Sequence, residues 1–596
     1  MGNSSRKSSG AADRYQFIVI LVSALIFLGC IVSPPGLMDD VDAVQAQIAR
    51  TMLDSGDWVT ARLNGVAYLE KSPLKYWTIA ISFAIFGVRD WAARLPLALS
   101  VVLLCWVTAR FSAWAFGQTA GLWSGLVIST SVGLFLFTRI LIPDAMLTLA
   151  IVTGIWSLMR AMDDGERHPQ AWAMLFWACI GAGLLLKGLI AALFPAAAGG
   201  LYLLLSGRLF ARKTWRRLHI FSGIALMLAI AAPWHVLATL RNPPYFDFTM
   251  RSEPGVYRGF FWFYFMNEHV LRFLNLRHPR DYNTVPRLYF WLFHLLWLFP
   301  WSVYLPVLAK LEYRRPERAA QVRLMALCWA GFILIFFSFS TTQEYYSMPA
   351  YPAFALLLGS AIASGHPWLR YGTRVAGGIA AAACLAIGAI LVRVHGVPAP
   401  GDIAGALTHN PDVYTLSLGH MKDLTLESFA YLRLPLAVAG IALLFGAVGA
   451  WRSRIWCLAA MMVLFFHAAR LALITFDPYL GSRPLAEALQ RVPEGRLIVD
   501  DQYYAFSSVF FYANRDALLL NGRVNNLEYG SYAPGAPDVF IGDKEFRRLW
   551  ASGGRCYLVA NDPERARFER LIGAANLHAI AESGGKFLMS NRAPGR

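Results

Sequence analysis

The chain has 596 residues, of which 57% are hydrophobic and 15% charged, and its formal charge is +17. An ordinary soluble domain carries about 25% charged residues, so the composition excludes that class. It also argues against nucleic-acid binding: the basic residues fall mainly in short loops between apolar runs, where they orient a chain in a membrane.

A span needs roughly 20 apolar residues. The first run covers 16–33, and Arg6, Lys7 and Arg14 before it place the N-terminus in the cytoplasm. It is too long, and lacks the cleavage site, of a signal peptide. A long loop, 34–92, follows on the outer face. Within it, 76–88 is too short to span, and counting it as a span puts the later basic loops on inconsistent sides. It is therefore read as a juxtamembrane helix. The remaining spans are expected near 93–112, 119–138, 144–160, 170–186, 189–206, 218–238, 287–308, 324–340, 347–364, 375–393, 433–450 and 455–473, giving about thirteen. This parity gathers 34–92, 139–144, the turn at Lys187, 239–286, 340–346, 394–432 and the C-terminal region on the outer face.

From 476 the pattern changes. RLIVDD, DALLL, PDVFIG, RCYLVAN and KFLMSN read as short strands, and EFRRLWASG and DPERARFERLIGAA as helices. The fold class is thus mainly α, a polytopic transmembrane domain over 1–475 with an α/β domain over 476–596. Six of the seven cysteines lie in apolar runs and Cys556 stands alone, so neither a disulfide framework nor a zinc site is expected.

Several polar motifs share the outer face. GLMDDVDAVQAQIARTMLDSGDW clusters Asp39, Asp40 and Asp42, carboxylates that repel one another unless a cation is near. AYLEKSPLKYW holds Glu70, Lys71 and Lys75. RILIPDAML sets Arg139 and Asp144 at a membrane boundary, where ionisable groups are costly and often functional. LLLKGLIAALFP leaves Lys187 in a turn without a nearby acid. NEHVLRF supplies Glu268, His269 and Arg272, with Arg277 just beyond it, and TTQEYYSMPAYPA supplies Glu344, Tyr345 and Tyr346. Each motif alone has an ordinary reading, such as an acidic helix start or a lysine reaching for the interface. Together, carboxylates and cations at one outer cavity suit an anionic, lipid-linked substrate and a group transfer.

The acidic pair, IAR-x-ML-x-SGDW, EKSPLKYW, R-x-L-x-PD, NEHVLRF and TTQEYYSMPAYPA resemble the GT-C glycosyltransferases, and within them the aminoarabinose transferase branch related to protein O-mannosyltransferases. The resemblance covers most of 34–360. It implies a bacterial inner-membrane enzyme acting on the periplasmic side. The donor would be undecaprenyl phosphate-linked 4-amino-4-deoxy-L-arabinose and the acceptor a lipid A phosphate. It carries the family's essential acid to Asp39 or Asp40, with Asp42 an alternative register, and the second acid to Asp144. Lys71, Lys187, Arg139 and Tyr345 would serve the donor phosphate, and Glu70 and His269 a divalent metal ion. A transporter or flippase is the rival class, but no paired halves or inverted repeats support it. Another transferase of the same family, moving a different sugar to protein or glycan, is the second alternative.

Overall fold

The computed structural model describes residues 2–32, 35–279, 285–340, 343–410 and 417–593. Among these, ten helices are long and apolar enough to cross a membrane: Asp13–Val32, Asp90–Phe116, Asp144–Ala161, Pro169–Lys187, Ile220–Arg241, Arg318–Phe339, Glu344–Ala363, Trp368–Arg393, Arg433–Trp451 and Trp456–Leu480. The three other expected spans take different forms. Arg287–Trp297 and Trp301–Leu308 are bent by 95° at a short break, around Pro300. Ile190–Leu205 is a shorter apolar helix. The 119–138 run breaks into Gln118–Ser129 and Val132–Phe137. At that break Thr130 and Ser131 turn their hydroxyls back onto the carbonyls of Leu126 and Val127, a local bond that competes with helix continuation. The last span runs to Leu480, past the 475/476 boundary read from the sequence.

The first loop is folded rather than extended. Helix Val41–Ser55 ends at Gly56 in the left-handed conformation, the usual helix stop. A hairpin follows: β1 (Arg62–Leu63) and β2 (Val66–Ala67) pair across Asn64-Gly65, both at positive φ, the pairing that such a tight turn favours. Helix Leu74–Phe86 is the short apolar segment assigned to the membrane surface.

The C-terminal sheet has six strands in the order β5-β4-β3-β6-β8-β7, where β3 is Arg496–Asp500, β4 Leu518–Leu520, β5 Phe540–Ile541, β6 Cys556–Asn561, β7 His578–Ser583 and β8 Lys586–Ser590. The first four are parallel to one another, and β8 and β7 close one edge antiparallel. Five of these strands are the five runs read from the sequence. The sixth, β7 (HAIAES), is missed because an edge strand with polar positions carries little apolar signal.

This sheet sits against the first loop. Asn64 Nδ2 donates to Ala517 O and Ala517 N donates to Asn64 Oδ1, at 2.8 and 3.0 Å. Tyr512 Oη donates to Asp90 at 3.0 Å. The segments after β3 and β4, at the carboxyl ends of parallel strands, are among those that reach the first loop. That is the end at which open α/β sheets place their ligands.

Candidate functional site

A cavity of about 430 Å³ opens beside the first loop. One end is apolar, walled by Leu189, Ile190, Leu193, Phe273, Leu274 and Phe336; the other is charged, with Glu70, Lys71, Lys187, Glu268, His269 and Arg272. Three chain segments far apart in sequence supply these charges.

The EKSP turn brings Glu70 and Lys71 into contact. Glu70 also accepts from Tyr68 Oη and from Asn526 of the C-terminal region. Burial alone would raise the Glu70 pKa. The Lys71, Arg272 and Arg277 cations outweigh it and hold the carboxyl down at about 2.

Residues Trp262–Leu271 form a π-helix, a wide winding often found at functional sites. It presents Glu268 to Arg272 at 3.0 Å and to Arg277 at 2.5 Å. Arg272 also donates to Tyr346 Oη at 2.8 Å. His269 Nδ1 lies 2.6 Å from Tyr264 O, and its Nε2 accepts from Leu189 N at 3.2 Å. Desolvation lowers its pKa to about 4, against the pull of the backbone groups of Tyr264 and Lys187, so the ring is neutral at pH 7.

Lys187 ends its span and reaches Asp144 Oδ1 at 2.5 Å. Its ammonium also lies 4.7 Å from the Tyr346 ring centre and 5.3 Å from that of Tyr345. The other oxygen of Asp144 is buried with no hydrogen-bond partner among the described residues. Gly188 must follow: it sits at φ +71°, and a Cβ there would lie 2.2 Å from His269 Nε2.

The three first-loop acids separate into three environments. Asp39 is bound by Lys586, Ser482 and Ser508 N. Asp42 is fully buried, paired with Arg94 at 2.8 Å and accepting from Leu141 N at 2.8 Å. Asp40 makes no side-chain hydrogen bond or ion pair among the described residues, and its side chain keeps access to solvent. It stands at the surface beside the other two acids and the C-terminal region. Desolvation there, with the charges of Asp39 and Asp42, raises its pKa to about 6.

The structure places Lys71 and Lys187 at the cavity, with Asp144 paired to Lys187 and Tyr345 close to it. Glu70 and His269 both line the same cavity. Among the described residues no group of three or more His, Cys, Asp and Glu side chains is placed to hold a metal. Arg139 is not brought to the cavity: its guanidinium stacks on Phe135 at 4.6 Å and on Phe27 at 5.9 Å. Lys75 also turns away, toward Gln45 and Leu141 O. Asn526, Tyr346 and Ser72 are site residues that sequence reasoning did not assign. Only the Tyr-Tyr of TTQEYY offered a signal for any of them.

Residues 70–236 match the model of the dolichyl-phosphate-mannose-protein mannosyltransferase family. The chain is 26% identical to the undecaprenyl phosphate-alpha-4-amino-4-deoxy-L-arabinose arabinosyl transferase of Erwinia tasmaniensis over 561 residues, 91% of this chain and 92% of that one. It is 29% identical to the Pseudomonas aeruginosa enzyme of the same name over 381 residues, 61% of this chain and 62% of that one. The crystal structure of ArnT from Cupriavidus metallidurans bound to undecaprenyl phosphate superimposes with a TM-score of 0.75 at 23% identity, over 99% of this chain and 100% of that one. An oligosaccharyltransferase of Archaeoglobus fulgidus reaches a TM-score of 0.50 at 11% identity, over 94% of this chain and 70% of that one. The chain thus carries the GT-C fold, and along nearly its whole length its sequence is similar to the arabinosyl transferases.

Proposed function

We propose that this multi-span membrane protein is a glycosyltransferase that moves 4-amino-4-deoxy-L-arabinose from undecaprenyl phosphate to a phosphate of lipid A. Its site would face the periplasm of a bacterial inner membrane, with the N-terminus in the cytoplasm. One observation carries the reading: a single cavity joins an apolar wall, fit for a prenyl chain, to a cationic end, fit for its phosphate.

The charges support this. Lys71, Lys187, Arg272 and Arg277 face Glu70, Glu268 and Asp144. Four cations against three carboxylates leave one positive charge, which matches the single negative charge of a sugar phosphodiester. Cations aimed at the phosphate also favour its departure, because charge grows there as the bond breaks. An oxygen of the acceptor phosphate attacks the anomeric carbon, the bond from that carbon to the polyprenyl phosphate oxygen breaks, and polyprenyl phosphate leaves. A lipid A phosphate is already ionised near neutral pH, so Asp40 orients the acceptor or the sugar rather than removing a proton; with a hydroxyl acceptor it becomes a base. A divalent ion held by Glu70 and His269 would require the ring to give up its contact with Tyr264 O or Leu189 N, and would then add to the charge that offsets the phosphate.

The test is transfer by purified full-length protein in detergent, given the lipid-linked aminoarabinose and lipid A. The expected result is a mass gain of one aminoarabinose on lipid A. In cells, the added amine offsets a lipid A phosphate, so expression should raise polymyxin resistance in a strain lacking its own transferase. If only a polyprenyl-phosphate hexose is consumed, the protein mannosyltransferase side of the family is the correct class. If no lipid-linked sugar is consumed, the transferase reading fails.

A further inference from the structure

The first residue of β8 reaches under the first loop. Lys586 Nζ donates to Asp39 Oδ2 at 2.9 Å, to Gly481 O at 3.0 Å and to Ser482 Oγ at 3.2 Å. Ser482 Oγ donates to the same Asp39 oxygen at 2.6 Å, and Ser508 N donates to the other at 2.8 Å. Both side chains of the ion pair are 10% exposed, so solvent screens it little. The backbone is tied as well. Leu37 N donates to Tyr512 Oη at 2.6 Å, Asp39 N to Leu480 O at 2.9 Å, and Asp40 N to Tyr504 O at 2.7 Å.

The next residue shows what this achieves. Asp40 stands at φ 67°, ψ −93°, in the half of backbone space that side chains disfavour. Strained residues persist where their surroundings over-determine them, and they concentrate at functional sites. A pair that served only to dock the C-terminal region would not require its neighbour to be strained.

We propose that Lys586 is a positioning residue for sugar transfer: by fixing Asp39 it holds Asp40 in the strained conformation that sets the direction of its carboxylate. The C-terminal region is then part of the catalytic apparatus, not an appended lid. This rests on the reading of Asp40 as the transferase acid.

The test uses the full chain in detergent, with Lys586→Met, Lys586→Arg and Ser482→Ala. Amide exchange over 37–42 reads the lock, and donor kcat and KM read its consequence. For Lys586→Met we expect faster exchange at Asp39 and Asp40, and a kcat loss of about tenfold or more with donor KM within about twofold, the split expected when reacting groups are misplaced but binding is intact. Lys586→Arg should restore most of kcat. Unchanged exchange and unchanged kcat in Lys586→Met overturn the proposal, as does a kcat that Arg fails to restore. If Lys586→Met loses protection across 496–590, Ser482→Ala decides: a partial kcat loss supports the lock, and wild-type kcat overturns it. Full transfer by Asp40→Asn would instead sink the reading of Asp40, while the exchange result still says whether Lys586 fixes the loop.

Discussion

Asn526, in the C-terminal region, donates to Glu70 of the first loop across 456 positions of sequence. Glu70 is also the partner of Lys71, so a residue outside the membrane bundle orients an ion pair at the cavity's charged end. A hydrogen bond to a charged group contributes about 1.5–3 kcal/mol. Asn526→Ala should therefore raise the donor KM by about tenfold and leave kcat nearly unchanged. Steady-state kinetics with varied donor checks this; an unchanged KM would place Asn526 outside the binding machinery.

The three first-loop acids should give three phenotypes. Asp40→Asn should abolish transfer with no loss of folding. Asp42→Asn should lower stability instead, because it strips Arg94 of its buried partner; breaking such a pair costs about 3–5 kcal/mol. Thermal unfolding in detergent, run beside the transfer assay, separates the two. An inactive but fully stable Asp42→Asn would move the catalytic assignment to that residue.

Asp40 also sets a pH dependence. Desolvation by the surrounding protein and the charges of Asp39 and Asp42 raise its pKa to about 6, so its carboxylate is present above pH 6 and lost below. Transfer, read as kcat/KM, should fall as pH drops through about 6 and level off above it. Stability should run the opposite way. A carboxyl whose pKa is raised by folding is penalised in its charged form, so wild type should lose stability as pH rises from 3.8, the ordinary value, to about 6, and change no further above it. Asp40→Asn should relieve this, stabilising the protein at pH 8 more than at pH 5. A pH-independent difference in unfolding temperature would contradict the assignment.

Lys187 and Asp144 form a buried pair in which each needs the other. Lys187→Met should lower both donor affinity and stability, since it leaves a buried carboxylate unpaired. Combining it with Asp144→Asn should recover stability without recovering transfer. If the double variant transfers normally, the pair is structural only.

Arg139 shows why part of the site was not legible in the sequence. RILIPDAML sets it at a membrane boundary five residues from Asp144, and the resemblance gave it to the donor phosphate. The helix break and turn between them send the guanidinium to Phe27 and Phe135 instead. The spans were legible because twenty apolar residues have few other uses. The C-terminal strands were legible because short apolar runs alternate there with turn residues. What the sequence could not rank was Asp39, Asp40 and Asp42. Their difference lies in partners hundreds of residues away for Asp39 and on a neighbouring span for Asp42. The choice among them is set by tertiary contacts that no local pattern encodes.

The apolar wall of the cavity has a kinetic consequence. Leu189, Leu193, Phe273 and Leu274 line it and are also exposed on the protein's surface, so the wall continues into the lipid-facing exterior. A prenyl-anchored donor can then arrive sideways, diffusing within the bilayer plane without crossing water. For such a reaction the governing variable is the donor's mole fraction among the surrounding lipids, not its molarity in bulk. Adding empty detergent micelles at constant total donor should slow transfer by surface dilution, much as enlarging the membrane would.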